Sequence, residues 1–381
     1  MQSRVIPLRV SPVTFHGLMD ADRQLDVGRE PDVILAFLPS SGLQETLSAM
    51  AEVWPGSRRL GCETVLQYAN GVIGTKGVLQ FLWLDEASHR IHVQSLNASP
   101  EEPLDGPSLE PFWSALMAAN GGLLLMDGER FPYHQLLAEM ERRRHELPPL
   151  VGALASRPQR ATLQGTPGAR VFLDNEILTS GCVAVGFQGV SMEIETARSF
   201  DPVGPVVRVT RATGDVLYEV DGEPATRWYR RFFTVDGELL PLPEAAHDFP
   251  LVIEGREPCR HGILRSMVSF DEVSGGVQFR GDFRVGDRVR LAVRGEGSPV
   301  PLAEAAADRR PQAIFAVSSI DRHLSFSREK AIAEVSGISK ALDQAPFAGG
   351  VGFGQIGANI NEPVVLQNHV TTLAFLRETT T

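Results

Sequence analysis

One local plan recurs along this chain of 381 residues: an apolar strand, an amphipathic helix, then a proline and a glycine-bearing turn. It is first met in PDVILAFLPSS, where Val33 to Leu38 reads as a strand buried on both faces and Ser41 with Gln44 predicts a capping box. Leu43, Leu47, Met50 and Trp54 then share one helical face, Pro55 and Gly56 stop the helix, and a Gly61-Cys62 turn leads through glycine-punctuated strands to VLQFLWL. This unit ends near Asn97. A second follows an acidic, proline-rich connector: a helix over Phe112 to Ala119, a strand over Gly122 to Met126 and a helix over Pro132 to His145. Pro148 and Pro149 then precede LVGALAS, and RVFLDNEILTSGCVAVGFQG carries an Asp174-Asn175 hairpin signal. A third copy runs from PQAIFAVSSIDRH through a helix with Ile332, Val335, Ile338 and Leu342 inward, to Pro346, a glycine-dense turn and QNHVTTLAFL. Three such units point to duplication and fusion, with chance convergence of βα units as the rival.

Between the second and third copies, from about Pro205, the pattern turns hairpin-rich. Two strands meet at Thr213-Gly214-Asp215, a helix starts near Pro224, and FRVGDRVRLAV reads as a further turn-bounded pair. The fold expected is α/β with α+β mixing: repeated strand, helix and glycine-turn units forming mixed, antiparallel-rich sheets with helices packed on them. Two halves, residues 1–200 and 201–381, are expected to pack as one body around a cleft at the glycine-rich turns.

Composition narrows the function classes. The net charge of -11 argues against a general nucleic-acid binder, which needs a basic surface. No apolar run approaches the length that spans a bilayer, and the first residues lack the apolar core of a signal peptide, so neither nucleic acid nor membrane is an expected partner. Cys62, Cys182 and Cys259 are odd in number and far apart, which fits a reducing cytoplasm better than a disulfide framework.

No complete catalytic motif is present, and no catalytic residue is assigned. Gly352 to Gly357 matches G-x-G-x-x-G, but the strand-like ANINEPVVLQ after it, with Pro363, argues against a phosphate-binding helix start. Those glycines instead allow close approach of chain or ligand. Ser318, Ser319, Asp321, Arg322 and His323 are too close in sequence to form a triad, whereas Arg322 is placed to hold an anion or pair with an acid. Cys62 beside Glu63 could be a nucleophile or a small buried hydrophobe. His89 and His92 point to opposite faces of a strand; Cys259 and His261 would share one face.

PDVILAFL with GCET, RVFLDNEILTSGCVAVGFQG, VRVTRATGDVLYEVDGEPATRWY, PFAGGVGFGQIG and QNHVTTLAFL, in that order, make the chain resemble a FIST protein, with an N-terminal and a C-terminal FIST domain, from about Pro31 to Leu376. The resemblance implies a bacterial sensory module that binds a small molecule, amino acids among the suggestions. It implies signalling to a histidine kinase or cyclic-nucleotide enzyme; no such segment reads in this sequence, so output is expected through a separate partner. One subgroup binds haem and senses nitric oxide, and a haem here would need His369 or His261. Two positions depart from the family: Ser319-Ile320-Asp321-Arg322 stands where Cys-x-x-Arg is common, and Gly354-Gln355-Ile356 where Gly-Glu-Ile is common. The expected ligand pocket is lined by Arg322, Gly350, Gly354, Gln355, Asn368 and His369, with Gly61, Cys62 and Thr64 as a second wall. An interaction scaffold without ligand and an enzyme using Cys62 are the other classes.

Overall fold

A computed structural model describes residues 1–379 except 11–12, 26, 86–88, 100, 102, 158–167, 257–261 and 344. The repeated plan becomes three six-stranded sheets of one topology. In each, a buried apolar strand lies parallel to the strand that follows its helix: Val33–Leu38 beside Arg58–Glu63, Gly121–Asp127 beside Leu150–Ala155, and Ala313–Ser319 beside Phe347–Gly352. An antiparallel strand returns along the other side (Val78–Trp83, Gly181–Gln188, Val370–Glu378), and an edge strand closes that flank (Gln2–Pro7, Arg90–Asn97, Val190–Arg198). Burial on both faces is why the first strands read as unbroken apolar runs.

The sixfold strand count is completed by exchange. The hairpin of repeat 1, Gln67–Ala69 with Val72–Gly74, adds to the sheet of repeat 3. The repeat 2 hairpin, Val171–Leu173 with Glu176–Leu178, adds to repeat 1, and the repeat 3 pair, Gly354–Ala358 with Leu366–Gln367, adds to repeat 2. The exchange is cyclic, so the three sheets close a ring with pseudo-threefold symmetry. Their inner faces share one core, in which Phe37 meets Phe315 with ring centroids 5.3 Å apart. The outer faces are covered by helices. Leu47 and Met50 of Leu43–Val53 pack on Ile34 and Ala36, and Val335 and Ile338 of Arg328–Ala341 pack on Ile314 and Ala316. Each second strand carries a glycine, Gly61, Gly152 or Gly349, where its partner's carbonyl comes too close for a side chain.

Repeat 3 is interrupted. Its edge strand passes at residue 200 into an eight-stranded antiparallel sheet, and the chain returns through Arg288–Arg294, whose last residue pairs with Phe200. Paired ends let such an insertion leave its host intact. The Thr213-Gly214-Asp215 turn and a helix, Ala225–Phe233, lie within it. Trp228, Tyr229 and Phe233 of that helix bury against Leu217, Val277 and Phe279.

Several local expectations need correction. Gly61 and Cys62 lie inside the strand Arg58–Glu63 rather than in a turn. The glycine-dense turn after Pro346 is two strands, Phe347–Gly352 and Gly354–Ala358, that meet at Phe353, and Ile332 is exposed rather than inward. The helix after Ser41 begins at Leu43 with Gly42 as its left-handed cap and no side-chain cap bond, because Ser41 stands one residue outside the capping position. The helix expected over 112–119 is Gly106–Met117, set by Asp105, whose carboxylate accepts from Ser108 N at 2.8 Å. FRVGDRVRLAV forms one strand, not two, since Arg284 and Asp287 close a turn in which Arg284 N donates to Asp287 at 2.8 Å. Among the described residues no helix is long and apolar enough to cross a membrane.

Candidate functional site

Ligands of α/β sheets tend to sit beyond the carboxyl ends of parallel strands. In repeat 2 those ends, at Asp127 and Ala155, open onto a cleft of about 700 Å³ between this repeat and the inserted sheet. Residues 128–135, leading into the helix Tyr133–Arg142, form one wall with Arg157. Asp215, Val268, Gln278, Phe279 and Arg280 of the inserted sheet form the other, and Phe353 supplies the floor from the glycine-dense segment. Phe353 is held by Leu154 O, which accepts from its N–H at 3.0 Å. Gly352 is required there because a Cβ would crowd that same carbonyl.

The polar groups differ in how fully they are engaged. Arg157 pairs with Glu129 at 3.0 Å, and Glu129 also accepts from Ala169 N at 3.0 Å. Gln278 donates to Asp215 at 3.1 Å. The Arg280 guanidinium carbon lies over Phe353, 4.2 Å from the ring centroid, and its Nε stands 4.0 Å from Asp321. Burial pushes the Tyr133 hydroxyl up and the His134 imidazole down from their ordinary ranges, so both are neutral near pH 7. Just behind the wall, Asp127 is wholly buried; one carboxylate oxygen accepts from Glu129 N at 2.8 Å and the other has no partner. Its pKa rises to about 6, chiefly through desolvation.

None of the nine residues read from the sequence as pocket-lining borders this cleft directly, and the structure divides them into groups. Gly354, Gln355, Asn368 and His369 come together behind the floor. Asn368 donates to Phe353 O and accepts from Ser266 N, both at 3.3 Å, tying the glycine-dense segment to the inserted sheet, while Gln355 donates to Val370 O. Arg322 is buried nearby, paired with Glu334 at 2.6 Å and bonded to Ser199 Oγ at 3.1 Å. Gly350 and Thr64 touch at the strand exchange, away from Gly61, which packs against Phe172. Cys62 lies in the shared core with its thiol pushed up by burial and by Glu63, so it is held protonated rather than as a nucleophilic thiolate.

His369 has a left-handed backbone (φ 55°), no partner on either ring nitrogen, and a ring packed edge-on against Phe200 at 4.6 Å. Burial lowers its pKa to about 4. A neutral imidazole suits iron, but the wholly buried ring leaves no space for a porphyrin, so His369 does not fit a haem ligand in this structure. His261 and Cys259 lie outside the described residues. Ser318, Asp321 and His323 form no triad: Ser318 bonds Thr371 at 2.9 Å and His323 bonds Tyr68 at 2.5 Å. The lining residues Arg280, Tyr133 and Phe131 carried no sequence signal of their own, because three distant segments build the cleft.

This is a chain of three exchanged α/β repeats with an inserted antiparallel sheet and a cleft where the two meet. The chain belongs to the FIST family: the FIST N domain matches residues 32–223 and the FIST C domain residues 225–358. FIST domains are sensory domains of signal transduction. No curated protein matches the chain closely enough to count as a relative.

Proposed function

We propose that this protein is a cytoplasmic sensor that binds a small molecule in the cleft between repeat 2 and the inserted sheet and signals through a separate partner. A histidine kinase or a cyclic-nucleotide enzyme is the partner class the family suggests. The cleft itself carries the reading. It is large enough for a metabolite, mixes aromatic walls with a few polar groups, and lies between two bodies whose separation a ligand can set. Gly354, Gln355, Asn368 and His369 act in this proposal as the layer that positions Phe353, with Arg322 bracing it. Gly350 and Thr64 hold the exchange, and Gly61 and Cys62 the first sheet. The halves 1–200 and 201–381 are then units of sequence more than of packing, since Val190–Arg198 pairs along Val370–Glu378.

Native mass spectrometry of the purified full-length protein, read with its visible absorption and with hydrogen exchange before and after stripping, tests this. The expected result is a retained or added small mass that protects residues 128–135 and 276–280. A bound mass that leaves both segments unchanged places the site elsewhere and defeats the proposal.

A further inference from the structure

We propose that the cleft takes a small organic anion, a carboxylate on an apolar body, and that Arg280 is its anchor. This rests on the cleft being the ligand site. The arginines exposed by less than a tenth all have acceptors: Arg59 bonds Trp54 O at 2.7 Å, Arg157 is paired with Glu129, Arg256 with Asp287, Arg322 with Glu334, and Arg265 bonds Leu366 O at 2.7 Å. Arg280 differs. Its side chain is 17% exposed, its guanidinium makes no hydrogen bond among the described residues, and the acid nearest its buried Nε, Asp321, stands 4.0 Å away, beyond hydrogen-bond reach. Only the Nε is buried; the Nη groups have no protein acceptor among the described residues, and contact with Phe353 holds the guanidinium at the cleft, where its fork can meet a planar carboxylate.

The surroundings carry both signs. The helix Tyr133–Arg142 opens at the cleft with Pro132 at its cap and no side-chain cap bond, adding positive potential. Arg130, Arg157 and Arg280 line the cleft against Glu129 and Asp215, with Asp127 and Asp321 behind the lining. Glu129 is already paired with Arg157, while Asp215 accepts from Gln278 through Oδ2 alone and faces the cleft as an anion on the same wall as Arg280. Phe131, Phe279 and Phe353 supply the apolar contact. The ligand class is therefore a carboxylate on an apolar body.

Hydrogen exchange on the full-length protein with benzoate, its neutral isostere benzamide and inorganic phosphate tests this, alongside Arg280→Gln and Arg280→Lys. Benzoate is expected to protect residues 128–135 and 276–280 saturably and benzamide not. Arg280→Gln should weaken benzoate roughly tenfold or more, with Arg280→Lys between. Equal protection by benzamide, or unchanged benzoate binding in a folded Arg280→Gln protein, leaves the cleft a ligand site and overturns the anionic anchor. Protection by phosphate alone overturns the organic body, and no protection by any probe overturns the cleft reading as well.

Discussion

Repeats 1 and 2 share a topology, yet their parallel strands end differently. In repeat 1 the end is sealed. Glu63 is 1% exposed and accepts from Arg170 through backbone N at 2.9 Å and Nε at 2.8 Å, while Arg170 Nη2 donates to Ser40 O at 2.9 Å. Arg170 arrives at the head of the hairpin that repeat 2 donates. In repeat 2 the donated strand begins with Gly354, opposite Leu154, and a glycine fills nothing. One position in an exchanged segment thus separates a sealed end from an open one, and a symmetric scaffold acquires a single cleft.

The largest way to break this comparison is at the matched glycines. A Cβ on Gly61 would overlap the Ala36 carbonyl and the Phe172 ring, whereas one on Gly152 would lie 2.9 Å from Leu124 O. Gly61→Ala should cost about 3 kcal/mol or more and Gly152→Ala about half that, by urea denaturation. Equal costs would show that the two sheets relax alike despite their different ends.

Next come the two arginines. Arg170→Ala strands a buried carboxylate, and since Arg170 is a quarter exposed the loss should be about 3 kcal/mol, the low end for a broken buried pair. Arg280→Gln removes no hydrogen bond, only the 4.0 Å approach to Asp321 and the contact with Phe353, and should change ligand-free stability by about 1 kcal/mol. A large loss at Arg280 would mean that it holds the two bodies together rather than waiting for a ligand.

The same contrast explains what could be read in the sequence. Val33 to Leu38, the Leu43 helix face and the Asp174-Asn175 hairpin were legible because period and turn chemistry are local, whereas the glycines after Pro346 read as a turn and form strands. Which sheet a hairpin joins was not, since a donated strand has the same alternation as a retained one. The break in repeat 3 was hidden for a related reason: its edge strand lies on the far side of the insertion, at 190–198. The cleft needed both facts. Its arginine, aromatic floor and helix start come from the inserted sheet, repeat 3 and repeat 2, and no spacing rule links them. The polar residues that were legible turned up buried away from the cleft, each for its own reason: Asn368 satisfies backbone at a junction, Arg322 pairs with Glu334, and His369 packs on Phe200 with no polar partner among the described residues.

The smallest effect is in pH dependence, and it separates the open end of repeat 2 from the closed body of repeat 3. Asp127 keeps its proton up to about pH 6 when folded but loses it near 3.8 when unfolded. Its contribution is therefore fully present below pH 3.8 and is lost as pH rises through 6. His369 titrates near 4 when folded and 6.5 when unfolded, so its contribution is present above pH 6.5 and lost as pH falls through 4. The two slopes oppose each other between pH 4 and 6, and the wild-type profile should be shallow there. Asp127→Asn removes one of them. The variant should gain about 1 kcal/mol at pH 7, where the wild type buries a charged carboxylate with one oxygen unpaired, and should lose stability more steeply on acidification, by urea midpoints from pH 4 to 7. Parallel profiles for the two proteins would show that the Asp127 carboxyl is hydrated from the cleft, which would carry water to the strand end and widen the site beyond its aromatic floor.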